Sequence, residues 1–268
     1  MRQKIEMNMK SSIFLVFLIL LASVASQGQP RQYGLPAGAR VLEVQAVPAQ
    51  AGRAGRVLIL WMLKPSKNPL PYGPEEYTCP DETRGSYYDG PTRVSLFDTE
   101  ARKLINTIVV RDEHITEKDF LHLPYRIRAG GYYHVAGVAA GQEGKPTLIW
   151  LRDYNGDGRA LEFALFDALA CMGLETTLIG YSRAQDKVIQ YPIRLTVTDV
   201  AGERSTRESL WADYLFSKTP ETPGHWKYEI DYRGRGGTRD QYEIRYNPQA
   251  ERFEGTLLST DEEFKDEQ

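Results

Sequence analysis

Cysteine is nearly missing from this chain: the 268 residues hold two, Cys79 and Cys171. That excludes a disulfide-dense scaffold and a four-cysteine zinc site. Histidine is scarce too, with four (His114, His122, His134, His225) and no metal-binding spacing among them. Neither sign of charge dominates, with 33 Lys+Arg against 36 Asp+Glu and a formal net charge of −3. Such a balance argues against a nucleic-acid binder that relies on neutralising phosphates. The chain lacks a G-x-S-x-G nucleophile elbow, an H-E-x-x-H zinc helix and a G-x-x-x-x-G-K-[ST] phosphate loop. Long apolar runs are also missing outside the first 25 residues, so no membrane span is expected once that segment is removed.

That first segment has the order of a secretory signal peptide. Arg2, Lys4 and Lys10 give a basic start, Ile13–Ala22 is uncharged and apolar, and the small residues Ser23, Ala25 and Ser26 follow. Cleavage after Ala25 or Ser26 places the protein outside the cell or in the periplasm. The expected organisation is a signal peptide over 1–25, a flexible Gly/Gln/Pro leader over 26–38 and a β-rich body over 39–260. A weak boundary falls near 141–145, and 261–268 form an acidic tail with five acids and one lysine. In an oxidising compartment Cys79 and Cys171 can pair. Closing so long a loop would stabilise the fold by about 4–5 kcal/mol in the chain-entropy picture. Equally, Cys171 suits a buried small hydrophobe.

Within the body, hydrophobic periodicity favours strands. Val57–Leu63 (VLILWML) reads as a strand buried on both faces, and Val41–Val47 alternates. Six prolines between Pro65 and Pro91 interrupt regular structure. Trp226–Tyr232 and Tyr242–Tyr246 alternate as two arms of one antiparallel hairpin with an aromatic face. Three further hairpins share one pattern, beginning at Phe97, Tyr181 and Tyr246: an aromatic, then Asp, Ser or Asn, a polar turn and a basic residue. Arg159–Met172 is rich in Ala and Leu but is read as strand, because a hairpin-like segment follows. One short helix is expected near 206–216, from the Ser205/Glu208 capping box and the apolar Leu210, Trp211, Tyr214 and Leu215. The expected fold class is therefore all-β, with antiparallel hairpins forming a propeller-like or sandwich body.

One stretch carries chemistry. In Asp153-Tyr-Asn155-Gly-Asp157-Gly158-Arg159-Ala-Leu-Glu162, oxygen side chains occupy loop positions 1, 3 and 5, and glycine occupies position 6. Calcium takes six to eight oxygen ligands, and this spacing lets a tight loop wrap it. Asp153, Asn155, Asp157, the Arg159 carbonyl and Glu162 are the candidate ligands. The same Asn-Gly and Asp-Gly pairs also suit a plain β-turn. The stretch resembles the calcium loops of EF-hand and dockerin proteins, and is still more similar to the FG-GAP and VCBS-type loops of secreted β-propellers. That resemblance covers about fifteen residues and implies a structural Ca2+. The chain departs from both patterns in the closing acid: position 12 is Ala164, position 9 is Leu161, and Glu162 at position 10 is the available substitute.

No catalytic set stands out. Asp112, Glu113, Asp186 and Asp231 are acids by type only, and paired carboxylates come from strands distant in sequence. Arg233–Arg239 could form an anion-binding nest or a long hairpin turn. The reading that follows is a secreted, non-catalytic β-rich protein with one structural calcium loop, binding a glycan or an envelope protein. A secreted hydrolase with unlocated catalytic acids is the alternative.

Overall fold

A computed structural model describes residues 30–49, 51, 53–68, 83–84, 87–110, 121–123, 126–127, 146–169, 173–233 and 236–261. The expected signal peptide, the boundary near 141–145, Cys79, Cys171 and the tail beyond Asp261 lie outside the described residues.

The chain opens with a 3-10 turn at Pro30–Tyr33. Strands β1 (Ala39–Ala46), β2 (Arg56–Leu63), β3 (Ser66–Asn68), β4 (Thr83–Arg84), β5 (Tyr87–Gly90), β6 (Thr92–Asp98) and β7 (Lys103–Val109) follow. Next come β8 (Leu121–Leu123), β9 (Arg126–Ile127), β10 (Glu162–Leu169), β11 (Gly173–Ser182), β12 (Lys187–Gln190) and β13 (Ile193–Thr198). The last are β14 (Arg204–Ser209), β15 (Ala212–Asp213), a 3-10 turn at Leu215–Ser217, β16 (His225–Asp231), β17 (Arg239–Asn247) and β18 (Arg252–Thr260). The fold is all-β. Among the described residues the strands form several sheets and close into no barrel or propeller. The larger sheets run β1-β2-β6-β7, β10-β11-β12 with β15 on β11, and β14-β13-β18-β17-β16. Neighbours are antiparallel in all three except for β13 and β18, which run parallel.

β2 shows why a strand can be apolar throughout. Leu58, Leu60 and Met62 face a core shared by the three sheets, which also takes in Phe163, Tyr181, Ile193, Tyr242 and Phe253. Ile59 and Trp61 point the opposite way, into a second cluster with Val41, Phe97 and Leu35. Period-2 alternation thus serves two apolar environments. Leu35 belongs to the segment expected as a flexible leader. From Pro30 onward that segment instead packs on the sheet: Leu35 is buried, and Tyr33 meets Phe97 edge-on with ring centroids 5.3 Å apart.

The expected helix at 206–216 is absent; those residues are β14, β15 and the 3-10 turn at Leu215–Ser217. The turn before them decides this. Asp199 Oδ1 accepts the backbone N–H of Ala201 and of Glu203, both at 2.9 Å, and Gly202 has φ 80°. That turn delivers Arg204–Ser209 into register with β13, from Thr198↔Arg204 to Ile193↔Ser209. Strand pairing supplies the backbone partners that a capping box would otherwise provide, and tertiary context overrides the local signal. Tyr214, at φ 57°, then breaks any continuous helix.

Candidate functional site: the Asp153–Glu162 loop

The loop begins where Arg152 and Glu162 pair as an isolated bridge, with Arg152 N–H donating to Glu162 O at 2.7 Å and Glu162 N–H to Arg152 O at 3.2 Å. Glu162 is also the first residue of β10, so the closing point is fixed by the sheet. Inside the loop, Asp153 gathers three backbone donors. Its Oδ1 accepts from Gly156 (2.7 Å) and Asp157 (3.1 Å), and its Oδ2 accepts from Gly158 (2.9 Å). Asn155 Oδ1 accepts from Asp157 N–H at 2.9 Å, and Asp157 Oδ1 from Arg159 N–H at 2.9 Å. Gly156 and Gly158 have φ of 78° and 82°, a region that costs glycine nothing. The oxygens at positions 1, 3 and 5 are therefore turned toward the loop's own backbone amides. Asp153 Oδ1 already accepts two of these amides, whereas Asp153 Oδ2 and Asp157 Oδ1 each accept one backbone N–H and keep a lone pair for another partner.

Glu162 has no solvent exposure. Its Oε1 accepts from Asn155 Nδ2 at 3.0 Å and from the Tyr191 hydroxyl at 3.4 Å, and its Oε2 accepts from Tyr154 N–H at 3.2 Å. Burial pushes its carboxyl up to about 8, opposed by the Tyr154 N–H and reinforced by the nearby Asp157 and Asp153. Burial raises the Tyr191 hydroxyl well above the ordinary tyrosine range as well, with Glu162 adding to it. Three carboxyl groups thus crowd one short loop. The guanidinium of Arg159 approaches Asp157 at 3.3 Å, and both side chains are partly exposed.

The loop is seated on the rest of the molecule by aromatic rings. Tyr154 stacks on Trp226 with centroids 6.4 Å apart and meets Phe216 edge-on at 5.7 Å. Backbones touch beside it: a Cβ on Gly156 would lie 2.6 Å from Pro223 O, and one on Gly224 would lie 2.6 Å from Asn155 O. Leu161 and Ala164, at loop positions 9 and 12, are both buried in the core. Sheet packing therefore claims those positions and leaves Glu162 as the inward acid.

The structure brings all five expected ligand residues into one loop. Among the described residues no three Asp, Glu, His or Cys side chains converge tightly enough to hold a metal by themselves. A cation here would depend on the Asn155 amide and the Arg159 carbonyl alongside Asp153 and Asp157. Donors of that kind, all oxygen, suit calcium. Arg159 O also accepts Leu161 N–H at 3.1 Å, which leaves one lone pair on that carbonyl.

Other candidate residues fall elsewhere. Arg233 pairs with Asp231 (Nη2–Oδ2 2.7 Å) and Arg239 with Glu229 (Nε–Oε1 2.7 Å), so two of the three arginines of the Arg233–Arg239 turn already face carboxylates; Arg235 lies outside the described residues. Asp186 lies in an ion-pair network with Arg56 and Arg53. His225 sits 3.3 Å from both Glu221 and Glu243. Asp112, Glu113 and His114 are outside the described residues.

One acidic pair was not legible in the sequence: Asp167 on β10 and Glu175 on β11 are cross-strand partners, both buried. With Val110, Leu121, Leu165, Phe166 and Thr177 they line a cavity of about 10 Å3, the size of a single water. The seven residues between them in sequence form no motif, and their facing depends on the β10–β11 register alone.

Comparison with protein-family models, with curated proteins and with solved structures finds no match to this chain.

Proposed function

We propose that this chain is an exported β-rich protein whose Asp153–Glu162 loop holds one structural calcium ion, and whose body binds a glycan or a protein partner at or outside the cell envelope. The observation that carries the calcium reading is the gathering of Asp153, Asp157 and Glu162 with Asn155 in one short loop closed by a bridge to β10. A cation would balance the charge of the Asp153 and Asp157 carboxylates, and the loop offers it oxygen donors. Its role is structural on this reading, because the loop seats Tyr154 against Trp226 and Phe216. The basic, apolar and small-residue order of the first 25 residues supports export.

Calorimetric titration of the full chain with calcium tests the site. One binding event is expected, and it disappears in Asp153→Ala and in Asp157→Ala. A flat titration at millimolar calcium contradicts the reading. A glycan array and an envelope-protein pull-down, each run with calcium and with chelator, address the partner.

The hydrolase alternative has one supporting observation, the facing carboxyls of Asp167 and Glu175. Their cavity holds about one water rather than a sugar ring. A hydrolase panel on the wild type and on Asp167→Asn tests it, with turnover lost in the variant as the result that would favour it.

A further inference from the structure

Three hairpin turns in different sheets share one build. β6–β7 turns through 98–102, β11–β12 through 182–186 and β17–β18 through 247–251. In each, the first turn residue accepts backbone N–H groups through its side chain. Asp98 Oδ1 takes Glu100 (2.9 Å) and Ala101 (2.8 Å), Ser182 Oγ takes Gln185 (3.2 Å), and Asn247 Oδ1 takes Gln249 (3.1 Å) and Ala250 (3.2 Å). The fifth residue is left-handed in all three: Arg102 at φ 52°, Asp186 at φ 49° and Glu251 at φ 45°. Glycine is the residue that adopts this conformation without strain, yet none of the three is glycine.

Two of the three strained side chains reach into a neighbouring sheet. Asp186 accepts from Arg56 Nε (3.0 Å), Arg56 Nη2 (2.8 Å) and Arg53 Nη1 (2.9 Å), while Asp98 holds Arg56 Nη1 from its other side at 2.7 Å. Arg56 begins β2 and is buried, so the β11–β12 turn is fastened to the first sheet. Asn106 of β7 fastens the same pair of sheets a little further along. Its Nδ2 donates to Val188 O at 2.8 Å and its Oδ1 accepts Val188 N–H at 3.0 Å, as a peptide group would. Glu251 repeats the arrangement one sheet on: Ser182 Oγ and Gln185 Nε2 both donate to its carboxylate at 2.6 Å. Arg102, the third member, is exposed and has no such bond among the described residues.

We propose that Asp186 and Glu251 are latches, each keeping a strained backbone so that its carboxylate locks the neighbouring sheet, and that the three large sheets consequently open as one unit. Arg102 occupies the same backbone position without a latch and is the built-in control.

Glycine substitution at the three positions in the full chain separates latch from turn, because glycine keeps the left-handed backbone and removes only the side chain. The latch account expects Arg102→Gly to leave the melting midpoint unchanged or slightly raised. Asp186→Gly is expected to lower it by about 5 °C, and Glu251→Gly by a smaller amount. Asp186→Asn tolerates the same backbone, removes the charge and is expected to lower the midpoint as well, which covers the case in which the glycine variant fails to fold. In native-state hydrogen exchange, Asp186→Gly should deprotect β6 and β12 together. Three glycine variants that shift the midpoint alike would overturn the proposal. So would a loss of protection confined to the substituted turn.

Discussion

Gly156 and Gly158 differ by two positions and should differ sharply in what they tolerate. Both have positive φ, but a Cβ on Gly156 would lie 2.6 Å from Pro223 O, whereas Gly158 faces open space. Gly158→Ala therefore carries the backbone cost alone, about 1 kcal/mol, while Gly156→Ala adds a backbone clash and should cost at least about 2 kcal/mol. Urea denaturation of the two variants checks the ordering. At this scale the sequence was informative about which residues form the loop, since the spacing of Asp153, Asn155, Asp157 and Gly158 is local. It was silent about Glu162 becoming fully buried, about the Tyr191 hydroxyl above it, and about Asp167 facing Glu175. Those contacts join residues from separate strands, and no local pattern encodes them.

The stretch 204–217 shows how elements are decided. Ser205 and Glu208 have the spacing of a helix start, and the apolar residues after them fit a helical face. The structure spends the same residues on a strand because the turn at Asp199 presents them to β13. Removing that turn's anchor should be felt in stability: Asp199→Ala is expected to cost about 1 kcal/mol in a urea melt, by freeing two backbone N–H groups. β1 gives a second case. Its sequence alternates regularly, yet a register shift between Val41 and Glu43 turns the Glu43 carboxylate inward. There it accepts Leu148 N–H at 2.7 Å and Ile149 N–H at 3.2 Å. A bulge inserts one residue and reverses which side chains face the core, and periodicity alone does not reveal it. By contrast β2 and β16 were legible, because their burial follows simple alternation or uniform apolarity over the whole strand.

For the molecule as a whole, the all-β class was readable from strand periods, but the way the sheets meet was not. They meet through charge as well as through the shared apolar core. Arg56 is buried between Asp98 and Asp186. Its guanidinium holds the Asp186 carboxyl well below the usual carboxylate range, and Tyr181 and Arg53 add to the effect. A carboxyl depressed in the folded state contributes stability that is fully present above its unfolded value near 4 and is lost as the pH falls below it. The urea midpoint should therefore drop on acidification below about pH 4. In Arg56→Met that acid dependence should be shallower, on a chain already less stable at pH 7 by about 2–3 kcal/mol, because Asp98 loses its cation and Asp186 keeps only the exposed Arg53. Equal pH slopes in the two proteins would contradict this assignment.

The Asp153–Glu162 loop has the most consequence at this scale, since it ties the start of β10 to the aromatic cluster of Tyr154, Phe216 and Trp226. Its most direct test is a pair of thermal melts of the full chain, one in calcium and one in chelator, repeated on Asp157→Ala. A structural ion predicts a midpoint several degrees higher in calcium for the wild type, because a ligand that binds only the folded state stabilises it by mass action. It also predicts superimposable melts for the variant. Wild-type melts that coincide at millimolar calcium would show that the loop is a turn stabilised by its own hydrogen bonds, and the calcium reading would fall.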